Sequence, residues 1–297
     1  MSSTAHVIPS RPSARRRLAA WLHSHPRARL GLLLASPIGW LVVIYLGSLA
    51  ILFLNAFLTR DAFSGATIYQ PTIENFARLA RDPYPGITLR TLGMAAVVTL
   101  TCAVLALPIA FFMARVASPR SRNALVVAVI VPLWASYLIK VYSWRLILAE
   151  EGILNEVLSL VGLRGPGFGD IAVWLVFTYL WLPYMILPVY AGLDRIPDSL
   201  LEASADLGGR SWMTFRRVVL PLVLPAVVAG SIFTFSLTLG DYIAPAQVST
   251  TIFIGNAIYA QFGAGNLPLA AALSLVPLGI VVLYLVVARR LGAFEAL

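Results

Sequence analysis

Residues 201–221 read LEASADLGGRSWMTFRRVVLP and form a polar insert between two long apolar runs. The insert holds three arginines and two carboxylates, whereas the runs on either side are almost free of charge. Ser199 and Glu202 have the S-x-x-E spacing of a capping box, in which each side chain accepts a hydrogen bond from the other residue's backbone N–H. We therefore expect a short helix from this point to about Leu207.

Two glycines predict where that helix ends. Gly208 and Gly209 follow it, and glycine accepts the left-handed conformation of a helix C-terminus. Ser211 is then placed to cap a second short helix that contains Trp212. Pro221 marks the approach to the next apolar run. The sequence thus predicts two short helices joined at a corner without side chains.

Two interpretations of this insert are open on its residues alone. One is an amphipathic helix on the cytoplasmic leaflet, where Arg210, Arg216 and Arg217 would attract anionic lipid. The other is a docking surface for a second protein. The first helix is acidic and rich in small residues, which suits a lipid surface poorly, and the glycine corner allows another backbone to approach closely.

Composition places the insert in a membrane protein. The 297 residues are 59% hydrophobic and 12% charged, against about 25% charged in a typical soluble domain. Runs of roughly 20 apolar residues, enough to cross a hydrocarbon core of about 30 Å, recur along the chain. We expect an all-α membrane protein with six transmembrane helices. The predicted spans are about Leu30–Phe57, Thr91–Met113, Ala124–Leu148, Ile171–Leu193, Leu222–Gly240 and Leu269–Val287.

Arginines predict the orientation of the spans. The segments on one side hold fifteen arginines and those on the other side hold five, and the richer side is expected to be cytoplasmic. Both termini and the insert are then cytoplasmic. The expected organisation is a basic N-terminal tail (1–29), a six-span domain (30–291) that includes the loop 194–221, and a C-terminal tail (292–297). On the outer side, residues 72–82 predict a short helix with Ile73, Phe76, Leu79 and Ala80 on one face.

The sequence excludes an ATP site of the P-loop kind. That site needs G-x-x-x-x-G-K-[ST], and the only lysine, Lys140, lies in ASYLIKV, which has no glycine. The three histidines lie in the first 25 residues, and no Cys/His cluster has the spacing of a metal site. We expect no catalytic residue, metal or cofactor in this chain, so any ATP hydrolysis must occur in another subunit.

The insert resembles the cytoplasmic loop of bacterial ABC importer permeases, whose pattern is E-A-A-x3-G-x9-I-x-L-P. Five of the seven defined positions match, and Ser204 and Val218 are conservative replacements at the other two. The resemblance implies the fold of a type I importer permease, in which this loop forms a coupling helix that docks in a groove of the ATPase subunit. It assigns ATPase coupling to Ser199, Glu202, Ala203, Ser204, Asp206, Gly208, Leu220 and Pro221.

The same resemblance implies a set of partners. These are a second, related permease subunit, two ATPase subunits that bind ATP-Mg, an extracytoplasmic solute-binding protein and the lipid bilayer of the bacterial inner membrane. No nucleic acid is expected. Residues 131–158, 240–248 and 254–262 are similar to permeases for spermidine and putrescine, so a polyamine is the expected solute. Relatives with this layout carry ferric ion, sulfate or phosphonates, and an ion-coupled secondary carrier is a further alternative.

Acidic and aromatic residues near the outer ends of the spans are candidates for the solute path. Asp241 ends the fifth span, and an acid near the membrane is a candidate for binding a cation. Aromatic faces add cation–π attraction, although packing and interface anchoring are the more common roles of such residues. Lys140 would repel a polyamine, so we expect it to point outward or to pair with Asp241. The candidates are Trp134, Tyr137, Tyr142, Trp144, Glu151, Asp241 and Tyr242.

Overall fold

A computed structural model of the chain describes residues 21, 23–61 and 64–290. The predicted C-terminal tail and most of the predicted N-terminal tail lie outside these residues. The chain divides into two compact units, one ending at Leu54 and the other beginning at Asn55. The first unit contains helix α1 (Pro26–Leu41), a π-helical turn (Val42–Leu46) and most of helix α2 (Gly47–Asn55). Its apolar stretch, Arg29–Asn55, is long enough to cross a membrane.

The second unit begins with a small loop structure. Strands β1 (Thr59–Arg60) and β2 (Thr67–Ile68) pair antiparallel, with Thr59 opposite Ile68 and Arg60 opposite Thr67. Helix α3 (Glu74–Leu79) follows and confirms the short helix that residues 72–82 predict. The predicted face is only partly correct. Ile73 and Ala80 are exposed, and the buried residue is Asn75, which donates to the carbonyls of Ala56 at 2.9 Å and Leu58 at 2.8 Å.

Eleven further helices complete the described part of the second unit. Two π-helical turns extend them: Phe112–Val116 continues α4, and Phe215–Val219 joins α10 to α11. The helices are α4 (Tyr84–Phe111), α5 (Pro119–Trp134), α6 (Tyr137–Leu148), α7 (Ile153–Ser159), α8 (Asp170–Asp194), α9 (Asp198–Asp206), α10 (Ser211–Thr214), α11 (Leu220–Gly240), α12 (Ile243–Val248), α13 (Ile254–Gly263) and α14 (Leu267–Arg290).

The predicted spans appear as long helices, with one difference. Within the described residues, five helical stretches are long and apolar enough to cross a membrane, and a bent pair makes a sixth. That pair is Pro119–Trp134 with Tyr137–Ser159, bent by 94°, where the sequence predicted one span over Ala124–Leu148. Ala135 and Ser136 are both extended (ψ 141° and 133°), so the helix stops and restarts there.

Helices α4, α8 and α11 form the core of the second unit. Small side chains bury one stripe of α4 at a spacing of three or four residues, as a helix face requires. Between α8 and α11, a Cβ added at Gly192 would lie 2.5 Å from the Ala226 Cβ, so these helices touch at a glycine. Small residues at helix contacts are typical of membrane proteins, in which packing rather than hydrophobic burial holds helices together. The stripe on α4 is Thr91, Ala95, Val98, Cys102, Ala106 and Ala110.

Polar side chains join the same helices. The Ser231 Oγ on α11 lies 2.7 Å from the Tyr284 hydroxyl on α14. The Trp174 indole on α8 donates to the Thr101 hydroxyl on α4 at 3.1 Å. Such bonds satisfy polar groups that lipid cannot hydrogen-bond, and they fix the lateral order of the helices.

Candidate functional site

The polar insert forms two short helices, as the sequence predicts, but neither begins with the predicted cap. Helix α9 begins at Asp198, and its N-cap is Pro197, which is extended (φ −64°, ψ 138°) and makes no side-chain cap bond. Ser199 is therefore already the second helical residue, where its hydroxyl cannot reach the free N–H groups as an N-cap side chain does. The predicted capping box of Ser199 and Glu202 is wrong for this reason.

The cap predicted for the second helix is wrong in the same way. The N-cap of α10 is Arg210, which is extended and makes no side-chain cap bond. Ser211 is the first helical residue, one position too late to cap. Helix α10 then runs through the π-helical turn into α11, so the fifth span rises without a break from the insert.

The glycine corner is confirmed. Gly208 has φ +76°, in the left-handed region that suits glycine. Its N–H bonds the Ala205 carbonyl, and the Gly209 N–H bonds the Ser204 carbonyl, each at 2.8 Å. These two bonds form a Schellman motif, which satisfies carbonyls left free at the end of α9. The Ser204 Oγ also lies 2.8 Å from the Thr214 Oγ1, which ties α9 to α10.

The corner presents an exposed surface. Leu207 is 89% exposed, and a Cβ added at Gly208 would meet no heavy atom within 4 Å. Trp212 is also exposed. Of the eight residues assigned to coupling, Ser204 and Leu220 are half-buried and the other six are exposed: Ser199, Glu202, Ala203, Asp206, Gly208 and Pro221. The insert therefore exposes apolar and acidic side chains, while hydrogen bonds within α9, the glycine corner and α10 hold its backbone in place.

Two arginines behind the insert were not recognised as functional from the sequence. Arg115, on the turn that ends α4, bonds the Asp198 carboxylate, and Arg122, on α5, lies 3.5 Å from the Asp194 carboxylate. In the sequence they served only to predict orientation. Arg115 and Asp198 are 83 residues apart in the sequence, and no local pattern indicates a contact over such a separation.

At the other end of the spans, Asp241 contacts one of the other candidates for the solute path. It follows the last residue of α11, and its Oδ1 accepts from the N–H groups of Ile243 at 2.8 Å and Ala244 at 3.1 Å. Its Oδ2 accepts from the Tyr137 hydroxyl, which lies at the start of α6. The carboxylate thus caps α12 and joins the fifth span to the bent third span.

Lys140 does not pair with Asp241. Its Nζ donates instead to the Pro132 carbonyl at 3.2 Å. That carbonyl lies in the last turn of α5, where the bend removes the backbone donors of the next turn. The lysine therefore caps the C-terminus of α5, a position that favours a cation.

The other candidates for the solute path are more widely spread. Tyr242 stacks on Tyr259 with ring centroids 4.6 Å apart, and Trp144 lies 5.4 Å from Tyr179. Trp134, Tyr142 and Glu151 are exposed. Of the seven candidates, only Tyr137 and Asp241 are joined by a hydrogen bond in the described part of the chain.

Trp181 is a residue near this pair that the sequence interpretation missed. Its ring stacks on Tyr137 with centroids 6.2 Å apart, and it contacts the Tyr184 ring at 6.0 Å. Trp181 is buried, and its indole Nε1 has no hydrogen-bond partner among the described residues. Its position within an apolar span gave no sign that it lies beside Tyr137. Carboxylate, hydroxyl and aromatic rings therefore lie together where the third, fourth and fifth spans meet.

Comparisons with known proteins agree with this architecture. A sequence family described as "Binding-protein-dependent transport system inner membrane component" matches residues 106–293. The chain is 45% identical over 306 residues to the inner membrane ABC transporter permease protein YdcU of Escherichia coli strain K12, covering 97% of each chain. It is 34% identical over 232 residues to the spermidine/putrescine transport system permease protein PotB of Salmonella typhimurium strain SL1344, covering 76% of this chain and 80% of PotB.

A solved structure shares the fold. It is a chain of a bacterial alginate ABC transporter, crystallised in complex with a periplasmic protein that holds an alginate pentasaccharide. The TM-score is 0.70 at 17% identity, over 93% of this chain and 98% of that chain. The predicted importer-permease fold is thereby confirmed, whereas identity this low carries no information about the solute.

Proposed function

We propose that this chain, which belongs to the family of binding-protein-dependent transport system inner membrane components, imports a polyamine such as spermidine or putrescine. The chain is a permease subunit of an ABC importer and a multi-pass protein of the inner membrane. The observation that carries the proposed mechanism is the exposed corner formed by α9 and Gly208. The proposed solute is supported by the similarity to PotB and by the group of Asp241, Tyr137 and Trp181, here called the Asp241 cluster.

The driving force comes from a separate ATPase subunit in this proposal. The chain has no P-loop sequence, so ATP-Mg binds to the partner. The partner's groove receives α9, with Leu207 as the apolar contact and Glu202 and Asp206 as acidic contacts. A leucine that is 89% exposed is costly in water, and burying it against a partner gives about 2 kcal/mol.

Transport then follows from motion of the insert. ATP binding draws two ATPase subunits together, and each subunit moves the docked insert of one permease. Helix α10 continues without a break into the fifth span, and α9 follows the fourth span after three residues, so both spans receive this motion directly. The permease pair alternates between openings toward the outside and the inside, and no covalent step occurs in this chain.

The proposed assembly has two permeases, two ATPases and one binding protein. The second permease is a related chain, and the solute-binding protein delivers its solute to the outer mouth. Both termini of this chain and the insert face the cytoplasm. The distribution of arginines, fifteen on the insert's side against five on the other, supports this orientation.

The Asp241 cluster suits an organic polycation. A polyamine has ammonium groups separated by methylene chains, so it can use a carboxylate and aromatic faces together. Asp241 is half-buried rather than enclosed, Tyr137 bonds it, and Trp181 stacks on Tyr137. Each aromatic contact with an ammonium contributes about 0.5–2 kcal/mol. An approaching ammonium could replace the Tyr137 hydroxyl as the partner of Oδ2 without disturbing the two backbone bonds to Oδ1.

Import by the complete transporter tests this proposal. Proteoliposomes would contain both permeases and the ATPase, with ATP inside and the loaded binding protein outside. We expect ATP-dependent accumulation of labelled spermidine or putrescine. Ferric ion, sulfate and a phosphonate are the competitors, and a non-hydrolysable ATP analogue is the control. Accumulation of one of the competitors in place of either polyamine would contradict the proposed solute.

A further inference from the structure

The ends of the second and fourth spans meet at Arg115, on the side predicted to be cytoplasmic. This residue lies on the π-helical turn that ends the second span, and its side chain is only 15% exposed. One nitrogen, Nη2, donates to the carbonyls of Leu193 at 2.6 Å and Ile196 at 2.5 Å. The other, Nη1, contacts the Asp198 carboxylate at 2.5 Å. A single guanidinium therefore joins the second span to the end of the fourth span and to the start of α9.

The two carbonyl bonds have a structural explanation. Leu193 lies in the last turn of α8, and Ile196 follows the helix by two residues. Carbonyls at a helix C-terminus have no backbone donor within the helix, and a cation there also interacts favourably with the helix dipole. These bonds hold the end of the second span against the end of the fourth.

The Asp198 bond does not share that explanation. Asp198 is the first residue of α9, and its side chain is 79% exposed, so solvent could satisfy its charge without Arg115. Only three residues, 195–197, separate α8 from α9. Arg115 thus bridges the short connection at which α9 can turn relative to the fourth span.

A second arginine extends the connection to the third span. Arg122 lies in the first turn of α5 and donates to the carbonyls of Met113 at 3.1 Å and Ala114 at 2.9 Å, at the end of the second span. Its guanidinium also lies 3.5 Å from the Asp194 carboxylate, the last residue of α8. The start of the third span is therefore bonded to the end of the second, and the two should move together.

From this geometry we propose that Arg115 is a positioning residue that makes the second span, and the third with it, move with the coupling helix. The inference rests on the proposed docking of α9 to an ATPase. By covalent connection α9 leads only to the fourth and fifth spans. The carbonyl bonds of Arg115 hold the second span to the end of the fourth, and the Arg115–Asp198 bond attaches it directly to α9 as well, so that a displacement of α9 reaches four spans together. Without the Asp198 bond, the second span would be held only to the end of the fourth span and would follow the displacement of α9 less closely.

The substitution Asp198→Ala tests this inference with the fold intact. It removes both carboxylate oxygens at an exposed position and leaves both carbonyl bonds of Arg115 in place. The measurement is the number of solute molecules imported per ATP hydrolysed by the complete transporter in proteoliposomes. We expect the ATPase rate to stay near that of the wild type and the ratio to fall by about tenfold. A purely structural role for the bond would change the amount of protein, not this ratio.

Two further variants complete the experiment. Arg120 is exposed on the same segment and has no polar partner among the residues that the structure describes, so Arg120→Gln is the matched control for lost charge and should keep the wild-type ratio. Arg115→Lys keeps the charge but not the forked geometry, and we expect an intermediate ratio. A wild-type ratio in Asp198→Ala would overturn the inference. If the wild type hydrolyses ATP but imports no polyamine, the proposed solute fails instead, and the ratio is measured with the solute that co-purifies with the binding protein.

Discussion

The substitution Asp241→Asn separates a role in the solute path from a role in the fold. The Asn side chain has nearly the same shape, and its oxygen can keep the bonds from the Ile243 and Ala244 N–H groups. Its amide nitrogen can donate to the Tyr137 oxygen, so the number of hydrogen bonds is conserved and only the charge is lost. The difference between a charge-assisted and a neutral hydrogen bond is about 1 kcal/mol. We therefore expect a stability loss of that size.

The expected effect on uptake is larger. An ammonium 4 Å from a carboxylate is attracted by about 4 kcal/mol at an effective dielectric constant of 20, an upper bound for this half-buried position. Loss of only a third of that attraction, about 1.4 kcal/mol, already lowers the rate about tenfold. The initial rate of spermidine import at low concentration should therefore fall at least about tenfold, while the melting temperature of the purified protein falls by only a few degrees.

The matched control for this measurement is Asp170→Asn. Asp170 is the first residue of α8, lies on the same predicted side of the membrane and is exposed, so its charge faces solvent. Its loss should leave import unchanged. If Asp241→Asn imported spermidine at the rate of Asp170→Asn, Asp241 would be a helix cap alone, and the reasoning from its charge would be refuted.

Two further predictions concern stability. Gly192→Val should destabilise the protein by about 1–3 kcal/mol, because its Cβ would lie 2.5 Å from the Ala226 Cβ; thermal unfolding in detergent measures this, and Gly279→Val, with open space around it, should change little. Equal melting temperatures for the two would disprove the close helix contact. Asn75→Ala should leave two carbonyls unpaired, cost about 1–3 kcal/mol locally and speed proteolysis around residues 56–72, whereas the exposed Arg78→Ala should not. Equal cleavage would show that Asn75 does not hold this loop.

Features that depend on neighbouring residues could be predicted from the sequence. Apolar length predicted the spans, since a helix of about 20 apolar residues is the main way to cross lipid. The left-handed turn at Gly208 was predictable because it requires a residue without a Cβ. The N-cap of α9 was misplaced by two residues, at Ser199 instead of Pro197, because Pro197 fixes the extended backbone from which the helix begins at Asp198.

Features that depend on distant residues were not predictable. The Tyr137–Asp241 bond joins residues 104 positions apart, and the choice of Tyr137 rather than Lys140 depends on where the third span bends. The bend lies at Ala135 and Ser136, and neither residue is a helix breaker such as glycine or proline. The apolar pattern therefore predicts one straight helix through this point. Arg115 likewise gained its partners only when the ends of α4 and α8 came together.

The substitution Gly208→Trp, compared with Gly162→Trp, most directly tests the claim that α9 and its glycine corner couple this chain to an ATPase. Both glycines have positive φ, +76° and +72°, and neither would bring a new Cβ within 4 Å of another atom, so the backbone strain is matched at about 1–2 kcal/mol. Gly162 lies on the predicted outer side, away from the proposed groove. We predict that both variants reach the membrane, and that Gly208→Trp imports solute at least about tenfold more slowly per ATP hydrolysed than Gly162→Trp. Equal import by the two variants would contradict the account.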